Sequence, residues 1–99
     1  MKDVSLTKLL FDVGMVVCTN GVDNFIKEDE DRVASISKCL YRHMSGDWGD
    51  IHKDDIGLNE ESIEDGTRIV SVYSVDDTKI WIITEADRSS TTILFPEEY

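Results

Sequence analysis

Three runs of sequence decide the fold: Thr67-Arg68-Ile69-Val70-Ser71-Val72-Tyr73-Ser74-Val75, Lys79-Ile80-Trp81-Ile82-Ile83-Thr84 and Thr91-Thr92-Ile93-Leu94-Phe95. Each is rich in β-branched and aromatic side chains, the composition that suits a pleated, half-buried surface. Only Asp76-Asp77 separates the first run from the second, with the polar stretch Glu85-Ala86-Asp87-Arg88-Ser89-Ser90 between the second and third. Connections this short permit hairpins and forbid parallel crossovers. Ile69–Val75, Ile80–Thr84 and Thr91–Phe95 therefore read as an antiparallel meander, closed by Pro96. Period two leaves the choice of inner face open. One assignment buries Val70, Val72, Ile80, Ile82 and Leu94; the other turns Trp81 inward with Ile83 and Ile93.

Working outward, Phe11 to Thr19 reads as a further strand, with Phe11, Val13, Met15 and Val17 on one side. It is expected either at the sheet edge or as a separate ribbon. Asn20-Gly21 breaks it, and a short helix through Val22, Phe25 and Ile26 follows, capped by Thr19 or Asn20. The acids Glu28 to Asp31 suit the first turn of a second helix running to about Met44, with Val33, Ile36, Leu40 and Met44 as its buried face. Arg42 and His43 fall in its last turn, where cations are favoured, and Gly46 can end it in the left-handed conformation. Residues 54–63 form a weaker helix with Ile56, Asn59 and Ile63 on one side, stopped by Gly66. The sum is an α+β fold in one domain, residues 1–99: an antiparallel sheet with a C-terminal three-stranded meander and two to three helices packed on one face.

Ninety-nine residues, 40% of them hydrophobic and 31% charged, suffice for a modest core. The net charge is −11, unevenly placed: residues 28–65 hold twelve acids and four bases. Phosphate binding needs Lys and Arg to displace counterions, so direct binding to duplex nucleic acid is not expected. The same acidity suits a protein partner with a basic surface, or simply a solvated, soluble exterior. No apolar run is long enough to span a bilayer, and Met1 to Ser5 lacks a secretory core, so no membrane association and a cytoplasmic location are expected. Cys18 and Cys39 read as two buried reduced thiols; a disulfide would need a Cα separation that sequence does not supply.

The residues that could carry chemistry are few. Metal-free cleavage of RNA needs a base, an acid and a cation or donor for the phosphate, and His43, Glu85, Arg88 and Thr92 are the right types. A helix followed by an antiparallel meander also resembles the barnase and RelE-like ribonucleases at the level of fold. His52 with Asp50, Asp54 and Asp55 is the densest set of metal-ligand types, but its spacing fits neither a calcium loop nor a zinc helix. No metal and no cofactor are expected. For binding, the candidates are Asp47, Trp48 and Asp50 in the Gly46–Asp50 turn, and Glu85, Asp87 and Arg88 in the loop after the Trp81 strand. Trp48 is expected to cover the end of the core with its indole N–H bonded. Glu85, Asp87 and Arg88 are expected to form a polar cluster with the hydroxyl of Thr91 or Thr92.

Several segments resemble a known family taken together: Arg42-His43-Met44-Ser45-Gly46-Asp47-Trp48-Gly49, Asn59-Glu60, Trp81-Ile82-Ile83-Thr84-Glu85-Ala86-Asp87-Arg88-Ser89, Thr91-Thr92 and Pro96-Glu97-Glu98-Tyr99. They are similar to small bacterial proteins of about a hundred residues, also carried by plasmids and phages, that bear labels such as plasmid-related or restriction-subunit protein. The resemblance spans Phe11 to Tyr99 and implies no particular reaction. One departure is Thr19-Asn20-Gly21, where the family pattern has Thr-Pro-Gly. Strong acidity and mobile-element resemblance favour an accessory protein that acts by protein–protein interaction, one form being inhibition of a basic nucleic-acid-handling or defence complex by phosphate mimicry. The RNase is the alternative.

Overall fold

A computed structural model describes residues 10–99; the reading of Met1 to Ser5 falls outside them. The chain is α+β. In order come β1 (Met15–Cys18), α1 (Asn20–Lys27), α2 (Asp31–Met44), α3 (Lys53–Asp65), β2 (Ile69–Val75), β3 (Thr78–Thr84), β4 (Ser90–Leu94) and a single 3-10 turn (Pro96–Glu98). The four strands form one sheet ordered β1-β4-β3-β2. β2, β3 and β4 make the expected antiparallel meander, with Val72 opposite Trp81 and Ile82 opposite Ile93.

The sheet is mixed rather than antiparallel throughout. β1 pairs parallel to β4, Val16 opposite Thr91. The intervening helices and meander carry the chain back so that β4 arrives in the same direction as β1. β1 is also shorter than the run from Phe11 to Thr19. Gly14 takes φ 63° against the carbonyls of Arg88 and Ser89, turning the chain so that Phe11 packs on His43 instead of extending the strand.

Local signals place the helix ends. The Thr19 hydroxyl accepts the Val22 amide at 3.2 Å and caps α1. Gly46 and Gly66 adopt left-handed φ after α2 and α3. Asp76 and Asp77, at φ 49° and 62°, give the two-residue turn of the first hairpin.

The core lies between α1, α2 and one face of the sheet: Val22, Ile36, Cys39, Tyr73, Val75, Ile80, Ile82 and Ile93, with Leu40, Phe25 and Phe95 against it. This corrects the expected core at two places. α2 buries Ile36, Cys39 and His43, while Val33 is 48% exposed and Met44 is only half-buried. In β2 the inward set is Ile69, Ser71, Tyr73 and Val75; Val70 and Val72 face the other way. Leu94 is buried, but beside Trp81 on that other face. One contact is common to both shifts. His43 and Ser71 are polar to a reader of patterns, yet they bond each other inside, which is compatible only with these faces of helix and strand turned inward. Cys39 is buried, whereas Cys18 is exposed on the edge strand; both are free thiols.

α3 does not cover the sheet face. It runs beside the edge strand β2, where the Asn59 side-chain amide donates to the Val70 carbonyl at 2.7 Å and accepts the Val70 amide at 3.2 Å. One residue pair further along, the Val72 amide donates to Trp48 O at 3.1 Å and the Asp50 amide to Val72 O at 2.7 Å. A side chain and a three-residue stretch thus take the place of a fifth strand and cover an edge that would otherwise template aggregation. Gly49 sits in that stretch at φ 72°, and a Cβ there would collide with the Val72 carbonyl.

Candidate functional site

The residues singled out in the sequence divide into two groups, one committed to the fold and one at the rim of a groove. His43 belongs to the first. It is fully buried and its ring is held at both nitrogens, Nδ1 by Ser71 Oγ at 2.5 Å and Nε2 by Thr84 Oγ1 at 2.9 Å. Thr84 continues to Thr91 Oγ1 at 2.7 Å, and Thr91 donates to the Val13 carbonyl at 2.8 Å. A carbonyl only accepts, so the direction of the chain is set. Thr91 donates to Val13, Thr84 donates to Thr91, His43 donates from Nε2 to Thr84, and Ser71 donates to Nδ1. The imidazole is therefore the neutral Nε2–H tautomer. Burial pushes its pKa down to about 4. Phe11 and Trp48 meet its ring edge-on at 5.3 and 6.0 Å. The expected helix-terminal cation is instead an uncharged hydrogen-bond connector between α2, β2, β3, β4 and the segment before β1.

Trp48 is 4% exposed and stacks on Phe11 at 6.1 Å, covering the core end as its flanking glycines suggested. Its indole N–H, expected to be bonded, finds no acceptor among the described residues. Asp47 is taken by Arg42, whose Nε and Nη2 lie 2.7 and 3.2 Å from the carboxylate; this pairing holds Asp47 below the usual carboxylate range.

Arg88 also serves the fold. It takes φ 61°, and its guanidinium donates to Thr67 O and Ser62 O at 2.7 Å each and to Glu85 O and Ala86 O at 3.2 and 3.3 Å. It thereby ties the β3–β4 turn to the C-terminal end of α3, where cations and donors satisfy open carbonyls. The expected polar cluster takes a different form. Asp87 accepts the Ser89 amide at 2.9 Å, and bonds from Ser89 lower its pKa. Glu85 faces Arg68 at 3.9 Å, Thr91 belongs to the His43 chain, and among the described residues no carboxylate pairs with Arg88. Thr92 pairs with Ile83 on the face opposite Thr84 and Thr91, so the sheet separates it from His43. His43, Glu85, Arg88 and Thr92 do not share a cleft.

An open concavity with an apolar floor lies on that opposite face. A groove of about 540 Å³ is floored by Val70, Val72, Trp81 and Ile83 of β2 and β3. One wall is Asp50, Ile51 and His52 with Asp55, Leu58 and Asn59 of α3; Tyr99 and Arg68 form the other side, and Lys79 closes one end. Tyr99 meets Trp81 at 5.5 Å, and its hydroxyl accepts from Arg68 Nη2 at 2.6 Å. The volume falls within the range of ligand pockets, and an apolar floor with a few polar groups on the rim is their usual make-up. Of the binding candidates read from the sequence Asp50 lines it, and His52 and Asp55 of the set weighed for a metal stand on the same wall. Val70, Val72, Trp81, Arg68 and Tyr99 were missed as site residues. The alternation of the strands held the signal: if Ile69, Tyr73, Ile80 and Ile82 go inside, a second apolar row must face out.

No protein-family model matches the chain, and no curated protein or solved structure is significantly similar to it. Among the described residues no group of three or more His, Cys, Asp or Glu side chains could hold a metal ion, and no helix is long and apolar enough to cross a membrane. The thiol pKa of Cys18, though the residue is exposed, is raised by partial desolvation first and then by Asp23 and Glu98, which disfavours the nucleophilic thiolate.

Proposed function

We infer that this chain is an acidic accessory protein that acts by docking on a protein partner with a basic surface. The single observation that carries the reading is the state of α3. Its acids Asp54, Asp55, Glu60, Glu61, Glu64 and Asp65 are all exposed and stand against one base, Lys53. Among the described residues, only Asp54 has an ion-pair candidate, His52 at 3.4 Å. A helix that leaves this much like charge uncompensated gains little stability from it, and such a field steers a basic partner at long range. Resemblance to plasmid- and phage-borne proteins supports the same reading, as does the fit of an acidic helix to a protein that normally grips phosphate. Inhibition of a nucleic-acid-handling or defence complex by phosphate mimicry is the specific form proposed.

The RNase reading gains nothing from the geometry. Its base is sealed and neutral, its cation is spent on carbonyls, and its hydroxyl lies on the other side of the sheet.

Affinity capture with the full chain at low and high salt, against a Glu60→Gln, Glu61→Gln, Glu64→Gln variant, tests the proposal. The expected result is a basic protein retained by the wild-type chain, released as salt rises and lost in the variant. Retention indifferent to both salt and variant contradicts it.

A further inference from the structure

Resting on that docking reading, we propose that the groove on the outer sheet face is the seat of one amphipathic helix of the partner, apolar along its ridge and carrying Lys or Arg on the flank facing Asp50 and Asp55. The floor offers apolar surface that the described residues leave partly uncovered: Val70, Val72 and Trp81 are only half-buried, and Leu58 on the wall is 59% exposed. A sheet face of this kind is normally closed by a helix packed over it. Two strands about 4.8 Å apart, bounded by α3 on one side and Tyr99 on the other, admit a single ridge of side chains rather than a second sheet.

Charge selects the occupant and its orientation. The backbone bond from Asp50 to Val72 sets that acid beside the row of the floor that holds Trp81. α3 then runs back along β2 to Asn59 at Val70, which brings Asp55 to the same wall. Neither carboxylate has a cationic partner among the described residues. The bases at the groove are not equivalent. Arg68 lies 5.2 Å over the Tyr99 ring, bonds its hydroxyl and faces Glu85, so its charge is largely answered within the molecule. Lys79 is exposed and has no ion-pair partner among the described residues; it stands opposite Ser74 at the far end. A cation on the α3 flank is thus attracted and one at the Lys79 end repelled, which gives the bound helix a direction. Trp81, between the two, can take both the apolar ridge and the face of a cationic head group.

The test uses the full chain labelled with nitrogen-15 and three synthetic peptides: a Leu/Lys peptide patterned as an amphipathic helix, a Gly/Lys peptide of equal charge, and a Leu/Glu peptide of the first pattern. The Leu/Lys peptide should shift the Trp81 indole resonance and bind about tenfold or more tighter than the Gly/Lys peptide, while the Leu/Glu peptide should not bind. Asp50→Asn with Asp55→Asn, both on the surface, should weaken it about five- to tenfold, and Lys79→Glu should strengthen it. If the Leu/Lys and Gly/Lys peptides bind alike, if Trp81 does not respond, or if no peptide binds, the groove is not the seat. The docking reading is judged separately, by salt-sensitive capture that depends on Glu60, Glu61 and Glu64. Failure of one is therefore distinguishable from failure of the other.

Discussion

The inner and outer faces of β2 and β3 carry similar side chains and meet opposite fates. Inside, Ile69, Tyr73, Ile80 and Ile82 are sealed beneath α2 along with a polar chain through Ser71, His43, Thr84 and Thr91. Outside, Val70, Val72 and Trp81 remain half open, although they alternate with the inner set one residue at a time. Hydrophobicity does not distinguish the two. The inner face is marked by the bonded polar chain through His43, the outer by an apolar row in which Ile83 and Leu94 are buried but Val70, Val72 and Trp81 are only partly covered. A buried polar group is stable when its bonds are met, so His43 can lie deeper than Val72.

Paired truncations across this divide should differ most. Ile80→Ala should cost about 2–5 kcal/mol in chemical denaturation, the range for a fully packed aliphatic side chain. Val72→Ala should cost about 1 kcal/mol, because much of its surface already meets water. Equal losses would erase the distinction between the faces.

Acid should separate them next. The folded-state pKa of His43, about 4, lies below the ordinary value of 6.5. The unfolded chain therefore binds the proton more readily, and stability present above pH 6.5 is lost as pH falls toward 4, by roughly 3 kcal/mol in all. The lowered carboxyls Asp47, Asp87 and Glu98 begin to lose their share only as pH falls to their ordinary values of 3.8 and 4.5, so the upper part of the window, from 6.5 to about 5, reports His43. Denaturation midpoints across that window should slope in the wild type and run flat in His43→Gln. A slope that survives the substitution would assign the effect elsewhere.

A smaller effect concerns the inner network alone. Ser71→Ala leaves Nδ1 of His43 buried without its donor and should cost about 1–3 kcal/mol. Thr92→Ala, on the other face, should stay within about 0.5 kcal/mol. The smallest expected change is a gain. Asp77 holds φ 62° in the hairpin turn, where glycine is at ease, and Asp77→Gly should raise stability by up to about 1 kcal/mol while leaving both faces unchanged.

The meander was legible in the sequence because it rests on local chemistry: β-branched runs, a two-residue turn and a loop too short for a crossover. The helix ends at Thr19, Gly46 and Gly66 were legible for the same reason. What the sequence did not disclose depends on contacts between distant residues. His43 looked like a terminal cation because its partners lie 28 and 41 residues away. Arg88 looked like a member of an acidic loop because Ser62 and Thr67 come from another element. The parallel pairing of β1 has no local mark, since no turn joins it to β4. The groove was hidden by the choice of face: once Val70 and Val72 were taken as core, no apolar row remained to build a site.

The two tryptophans measure the two faces directly. Trp48 packs against His43 and Phe11 at 4% exposure, and Trp81 lies half open in the groove. Hydrogen exchange of the two indole N–H groups in the free protein, followed by NMR, should find Trp81 exchanging freely and Trp48 strongly protected. Protection of Trp81 equal to that of Trp48, or faster exchange at Trp48, would contradict a sealed inner face and an open outer one.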